Sequence, residues 1–435
     1  MKTKTILAAL MVASFAFGAG ASSITIDSVV QRWPWNNKVD ITYTIEGGQD
    51  LKLKSYARII FTATIDGTPY MIDGRSIGAD ASDGQHTATW IPPTSLRVKS
   101  LDCTMTAQLL SAEIPSGNDY MIIDLETGEV TYEGRYADAT GATDLTPSTN
   151  RYNTATYKSD KMVLKRIPRW ADHATLPNAD KLSGLTGYFV GNNDWANNKP
   201  VKYWDTKHDY YIGVFECTYA QYVKLGLAGD KGYTDANLKA LGLVSDTTLV
   251  PAVKCKWNDL RGTSVPTDAI TPNATGGFFQ RLNSKTMTFS NITGFDLPTE
   301  IMHEIAQRAG KDAHYYWGEI DNYVVKSTTN NTMPLEVGSK LPNFWGLYDM
   351  AGNAAELIRD DTSQSNLHDA TDPFVPAYNS SSDYAYKRYT CFRGGSSNNS
   401  TVQDFSSAKR GSGTQGAYRD SAYTYVGFRV SIVMD

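Results

Sequence analysis

Between residues 24 and 134 apolar and polar side chains alternate with a period of two, a pattern that fits half-buried strands and excludes an amphipathic helix. Val39, Ile41, Tyr43 and Ile45 share one face of a strand, with Asp40, Thr42 and Thr44 on the other. Further runs follow at Tyr56–Ile65, His86–Ile91 and Cys103–Leu110. Tyr120–Asp124 and Glu129–Tyr132 are joined by Thr127-Gly128, a hairpin turn signal. Short strands at this spacing predict an Ig-like β-sandwich over residues 24–134. Trp33-Pro34-Trp35 is expected to plug one end of it, because large aromatics dominate core area; an exposed aromatic platform is the alternative.

The flanking segments differ in kind. Residues 1–21 read as a signal peptide: Lys2 and Lys4 precede the apolar run Ile6–Phe17, and Ala19-Gly20-Ala21 offers small residues for cleavage. The run is shorter than the ~20 residues a membrane span needs. The mature chain is therefore expected to have no transmembrane segment and to be exported, to a periplasm or beyond the cell. Residues 135–160 are rich in Ala, Thr, Ser, Asp and Asn and read as a linker. From 161 to 435 strands become short and loops long. A net charge of -5 gives no basic surface of the kind nucleic acid requires. Four cysteines, Cys103, Cys217, Cys255 and Cys391, are too few and too far apart for a disulfide scaffold, although one bridge among the last three is open.

Three short helices stand out in the second domain. One covers Thr218–Leu225, a second follows Trp257-Asn258-Asp259, and a third runs from Leu297-Pro298-Thr299-Glu300 to Arg308. In the third, Thr299 can cap, Glu300 suits the positive end and Gly310 can stop the helix.

These positions belong to a longer series. Tyr210-Tyr211-Ile212-Gly213 with Glu216-Cys217-Thr218-Tyr219-Ala220-Gln221-Tyr222 resembles the "FYIG-x-x-EVTNAQY" segment of the formylglycine-generating-enzyme (sulfatase-modifying factor) family. Pro251-Ala252-Val253 with Trp257-Asn258-Asp259, and Leu297-Pro298-Thr299-Glu300 with Glu304-Ile305-Ala306, are similar to its next two blocks. Trp317-Gly318 with Asn322-Tyr323 follows, then Val337-Gly338-Ser339 through Asp349-Met350-Ala351-Gly352-Asn353 to Glu356. Arg393-Gly394-Gly395-Ser396 and Gly427-Phe428-Arg429 resemble its closing "RGGS" and "GFR" strands. The resemblance covers Gly187 to the C-terminus and implies a C-type-lectin-like fold with little regular secondary structure.

The resemblance also implies calcium, a cation that takes six to eight oxygens. Carried onto this chain, its ligands are the Asp349 and Glu356 side chains and the Gly352 and Ala354 carbonyls. A second calcium site would use Asn322 and the Tyr323 carbonyl. Asn353, Arg393 and Arg429 are expected to be structural, tying off carbonyls inside a loop-rich fold. The family's oxidative chemistry depends on two copper(I)-binding cysteines shortly after the "GGS" strand. Here the first of those positions falls near Asn399, and no cysteine occurs from Phe392 to Asp435. Soft thiolates suit copper(I) and amides do not, so copper is not expected. The family's "WEW" is Ala355-Glu356-Leu357. The six histidines lack the spacing of the sulfoxide-synthase branch, and neither a GxSxG elbow nor a Walker loop is present.

The expected function is a catalytically silent, calcium-stabilised scaffold for a glycan, peptide or surface partner. Two alternatives remain open: an enzyme with altered chemistry, using Cys391 with Cys255 or Cys217, and a structural component of an envelope or extracellular assembly.

Overall fold

The computed structural model describes residues 23–32, 38–46, 58–65, 68–73, 77, 79–80, 83–92, 103–110, 119–134, 150–176, 182–191, 202–240, 242–261, 276–311, 313–329, 331–360, 373–374, 389–411, 417–418 and 420–434. The expected signal peptide, Trp33-Pro34-Trp35, residues 135–149 of the linker and most of the Asp361–Tyr389 loop lie outside the described residues. Many strands and few helices make a mixed α/β molecule, and it divides into two compact units between Glu113 and Ile114.

The first unit holds two antiparallel sheets. Strands β1 (Ser23–Gln31), β2 (Val39–Glu46) and β5 (Gly84–Trp90) form one, in the order β1-β2-β5. Strands β3 (Arg58–Ile65), β4 (Thr68–Asp73) and β6 (Cys103–Leu110) form the other, in the order β4-β3-β6. The period-two alternation acts as expected in β2, where Val39, Ile41, Tyr43 and Ile45 are buried and the residues between them are not. These four join Ile59, Phe61, Ala63, Ile65, Ile72, Ala88 and Trp90 in one hydrophobic cluster drawn from both sheets. Tyr43 packs edge-on to Phe61 at 5.3 Å, a favoured aromatic geometry.

The hairpin assigned to this unit from sequence belongs to the next one. Strands β7 (Tyr120–Asp124) and β8 (Val130–Glu133) do pair about the expected turn, but β7 also pairs with β9 (Lys161–Ile167). The boundary therefore falls before the hairpin, and the second half of the expected linker contains helix α1 (Ala155–Ser159). A hairpin alone is marginal, and it settles on whichever sheet offers an edge. Here that sheet runs β18-β12-β9-β7-β8, with β12 (Asp209–Gly213) and the C-terminal β18 (Ser431–Met434). The Ser290 hydroxyl accepts from Val130 N at 2.7 Å, and Lys285 donates to the Leu125 carbonyl at 2.7 Å. Both come from α5 (Phe278–Ser290), a helix the sequence reading missed, whose buried Phe278, Leu282 and Thr286 recur at helical spacing.

Smaller elements complete this unit. Strands β10 (Tyr188–Val190) and β11 (Lys202–Trp204) form a hairpin. The three expected helices appear as α2 (Tyr219–Lys224), α4 (Trp257–Arg261) and α6 (Glu300–Arg308); α3 (Asp235–Ala240) and α7 (Ile320–Tyr323) are additional. Helix α2 carries a capping box in which Thr218 and Gln221 satisfy each other's backbone N–H. A central sheet orders β15 (Phe392–Arg393), β13 (Ala355–Leu357) and β17 (Val426–Phe428), with β13 and β17 parallel. A two-stranded pair, β14 (Tyr389–Thr390) and β16 (Ala417–Tyr418), lies apart from it in the sheet topology. No helix among the described residues is long and apolar enough to cross a membrane.

Candidate functional site

Four sequence blocks that are remote in the chain converge on the central sheet. In β13, Glu356 stands opposite Arg393 of β15 on one side and Gly427 of β17 on the other. Helix α6 supplies polar side chains to the same region, and every one of its nine residues is buried. Thr299 caps it by accepting from Met302 N, and Ala309 ends it in the left-handed conformation with φ +46°. Glu300, His303, Glu304 and Arg308 recur at i, i+3, i+4 and i+8, so they form one polar stripe.

Each member of the stripe has a specific partner. The Glu356 carboxylate is spanned by Arg429, with Nη2 at 2.7 Å from Oε1 and Nε at 3.0 Å from Oε2, and is met by His303 Nε2 at 3.1 Å. Burial pushes the Glu356 carboxyl up, but Arg429 and then His303 outweigh it and hold it at about 2. Burial holds His303 below its usual value in spite of Glu356, so the imidazole is neutral. An ionised carboxylate only accepts, which puts the ring proton on Nε2 and leaves Nδ1 bare; Nδ1 is indeed buried without a partner. Arg429 also donates to the carbonyls of Gly213 at 2.7 Å and Tyr348 at 2.8 Å. Arg393 donates to Glu300 at 2.8 Å, to Glu304 at 3.1 Å and to the Ser407 carbonyl at 2.8 Å. Glu300 is shared with Arg410; burial raises its carboxyl, yet Arg410 and Arg393 hold it below the ordinary value.

Asn353 anchors the loop before β13. It adopts φ +62°, accepts from Leu335 N at 2.8 Å and donates to Glu216 at 2.6 Å. Gly352, beside it, needs its missing Cβ: one would lie 2.4 Å from the Val325 carbonyl oxygen at φ +85°. Because the obstacle is backbone, Gly352→Ala is expected to lower stability by about 3 kcal/mol, from the left-handed penalty plus overpacking. A denaturant midpoint unchanged from wild type would refute this.

The expected calcium ligands are only partly assembled for that ion. Asp349 is suited to it: Oδ2 accepts from Gly338 N at 2.6 Å, while Oδ1 is buried with no partner among the described residues. Glu356 is not, because its two oxygens already accept from Arg429 and His303, and a cation there would meet a guanidinium. Burial raises Asp349 to about 6 and, with the Asp349 and Glu356 charges, raises Glu216 well above its ordinary value. At the expected second site Asn322 is exposed and its carbonyl accepts from Leu341 N at 2.9 Å, while Tyr323 packs near Tyr316. Among the described residues no group of three or more His, Cys, Asp or Glu side chains converges as a metal cage.

Beside this polar core opens a pocket of about 100 Å³, lined by Phe392, Gly395, Ser396, Asn398, Asn399, Asp404, Lys409, Arg410, Gly411 and Tyr425. It lies at the stretch where the family resemblance puts its cysteines. Cys391 precedes this wall but is buried, 3.8 Å from Glu300, and burial together with the Glu300 charge raises its thiol. Cys217 and Cys255 are buried free thiols too; burial and then Cys255 raise Cys217, which puts those two within electrostatic reach of each other. The buried stripe of α6 was not anticipated from sequence. Its signal was four polar residues at helical spacing in a helix with no solvated face.

Among solved structures the chain is similar to variable protein 1 of Treponema denticola, at 18% identity over 62% of this chain and 95% of that one, with a TM-score of 0.44. It is also similar to PvdO of Pseudomonas aeruginosa, at 16% identity over 62% and 94%, with a TM-score of 0.43. No curated protein sequence matches it. The sulfatase-modifying factor enzyme 1-like domain matches residues 171–433, the greater part of the chain and all the blocks that meet at the central sheet. The chain belongs to that family.

Proposed function

We infer that the second unit is a binding scaffold of C-type-lectin-like architecture that does not form formylglycine, carried by an exported protein whose first unit is a β-sandwich spacer or adhesion module. The observation that supports this most is Asn399. It lines the pocket near the position of the first copper cysteine, and its Oδ1 accepts from Ser396 N at 2.8 Å and Ser396 Oγ at 3.0 Å. An amide held in this way has no soft ligand to offer copper(I). The partner is proposed to be a glycan, peptide or protein at a cell surface or in a periplasm. Altered redox chemistry at the buried free thiols Cys217 and Cys255, away from the pocket, is the second reading.

Calcium is proposed at Asp349, through Oδ1 together with the Gly352 and Ala354 carbonyls that the resemblance implies, with Glu356 kept in its ion pair. The ion would neutralise the charge that burial disfavours. The sign follows from linkage. The folded pKa of Asp349, about 6, lies above its ordinary value, so its contribution is fully present below about pH 4 and is lost as pH rises through about 6. Calcium should therefore raise the melting temperature more at about pH 7 than at about pH 4.5, and Asp349→Asn should remove the difference. Equal calcium effects at both pH values would refute the assignment. The wider test offers the chain from Ser22 onward both calcium and copper(I) under reducing conditions and counts bound metal by mass spectrometry. About one calcium and no copper is expected; a copper equivalent lost on Cys255→Ser would establish the redox reading instead.

A further inference from the structure

The pocket beside β15 has a wall chemistry that selects among ligand classes. Asn399 is oriented without ambiguity: a backbone N–H can only donate, so the Asn399 atom accepting from Ser396 N is the amide oxygen. Its Nδ2 then faces away from that turn, with two N–H donors and no partner among the described residues. Asp404 lies across the same pocket, with its carboxylate accepting from the Thr401 hydroxyl and spare acceptor capacity remaining. Tyr425, half-buried, adds an aromatic ring that packs against Tyr423 at 5.7 Å between centroids, tilted by 48°. Gly411 closes on Phe392 so tightly that a Cβ there would lie 2.2 Å from its ring, which makes Phe392 a fixed apolar floor.

The charges at this wall are matched. Arg410 is held by Glu300, and Lys409 Nζ stands 4.0 Å from Asp404. An ionised ligand would therefore meet no excess of opposite charge. What the pocket offers is a fixed pair of N–H donors, a carboxylate acceptor and ring faces, a set that fits hydroxyls arrayed on an apolar ring. One hydroxyl can accept from Asn399 Nδ2 while it or its neighbour donates to Asp404, and the C–H face of the ring can lie against Tyr425. At about 100 Å³ the pocket is below the ~300–1,000 Å³ that encloses a drug-sized molecule, so it takes one edge of a ring and leaves the rest to solvent.

We propose that this pocket binds an uncharged hexose-type unit of a glycan, read by Asn399, Asp404 and Tyr425. The inference rests on the binding-scaffold reading above and narrows it to a saccharide.

The test is saturation-transfer NMR of the full mature chain with the methyl glycosides of glucose, galactose, mannose and N-acetylglucosamine, beside a peptide array probed with the same protein. At least one glycoside should bind saturably. Asn399→Asp should weaken it at least tenfold at an unchanged melting temperature, since it keeps the acceptor used by Ser396 and removes both donors. Tyr425→Leu should do the same through the ring face. Glycoside binding that both variants leave intact would overturn the pocket assignment. No glycoside binding, with array peptides retained and lost in Asn399→Asp, would overturn the saccharide and leave the scaffold standing. Silence on both probes would overturn both.

Discussion

Arg429→Met is expected to lower folding stability by about 3–5 kcal/mol, the cost of breaking a buried ion pair by removing one partner. The variant leaves Glu356, 1% exposed, with only the neutral His303 as a side-chain partner. It also strips a donor from each of the Gly213 and Tyr348 carbonyls, on β12 and in the loop before β13. A loss of this size is a large share of a typical domain's stability, so soluble yield should fall as well. The diagnostic comparison is the double variant Arg429→Met/Glu356→Gln. Because it removes both charges, it should recover part of the loss, and the coupling in a double-mutant cycle should exceed about 1 kcal/mol. Additive losses would show that the pair does not interact as the geometry requires. The pH response separates the pair from Asp349. The folded pKa of Glu356, about 2, lies below its ordinary value, so its contribution is present above about pH 4.5 and is lost as pH falls towards about 2.

Glu300→Ala should be the second severe variant, at about 3 kcal/mol or more. It removes the shared carboxylate between Arg393, which is fully buried, and Arg410, which is 13% exposed. Arg393 keeps Glu304 at 3.1 Å, while Arg410 loses its paired contact at the edge of the pocket. Stability loss and pocket disorder should therefore occur together. Glu300→Gln keeps an acceptor and should cost less, because removing the charge alone spares a hydrogen bond. Chemical denaturation ranks the two, and a Gln variant as damaged as the Ala variant would show that charge alone matters. In both cases α6 stays apolar on its other faces, through Ile301, Met302 and Ile305.

The severity of both variants comes from side chains whose role is invisible in local sequence. Thr299 as a cap, the period-two strand at Val39–Ile45 and the Thr218 helix start could be read directly, because capping and alternation are decided by neighbours in the chain. Asn353, Arg393 and Arg429 were picked out by resemblance alone, and nothing near them in sequence named their partners. Nothing near His303 in sequence points to a partner either; its contact with Glu356 spans 53 positions. Glu356 was expected at calcium because the resemblance implied it, whereas the fold turns it towards Arg429, just past the end of β17.

By itself the sequence determined the family, the order of the blocks, the β-character of the first unit, and the absence of cysteines after Cys391 at the position that copper chemistry needs. Those properties depend on residue type and short spacing. The tertiary structure alone decided that the Tyr120–Glu133 hairpin joins the second unit. It also decided which carboxylates are spent on arginines, and that Asn399, Asp404 and Tyr425 line one pocket. Strand edges and buried charges are satisfied by whatever partner the fold brings within about 3 Å, and that partner can come from anywhere in the chain.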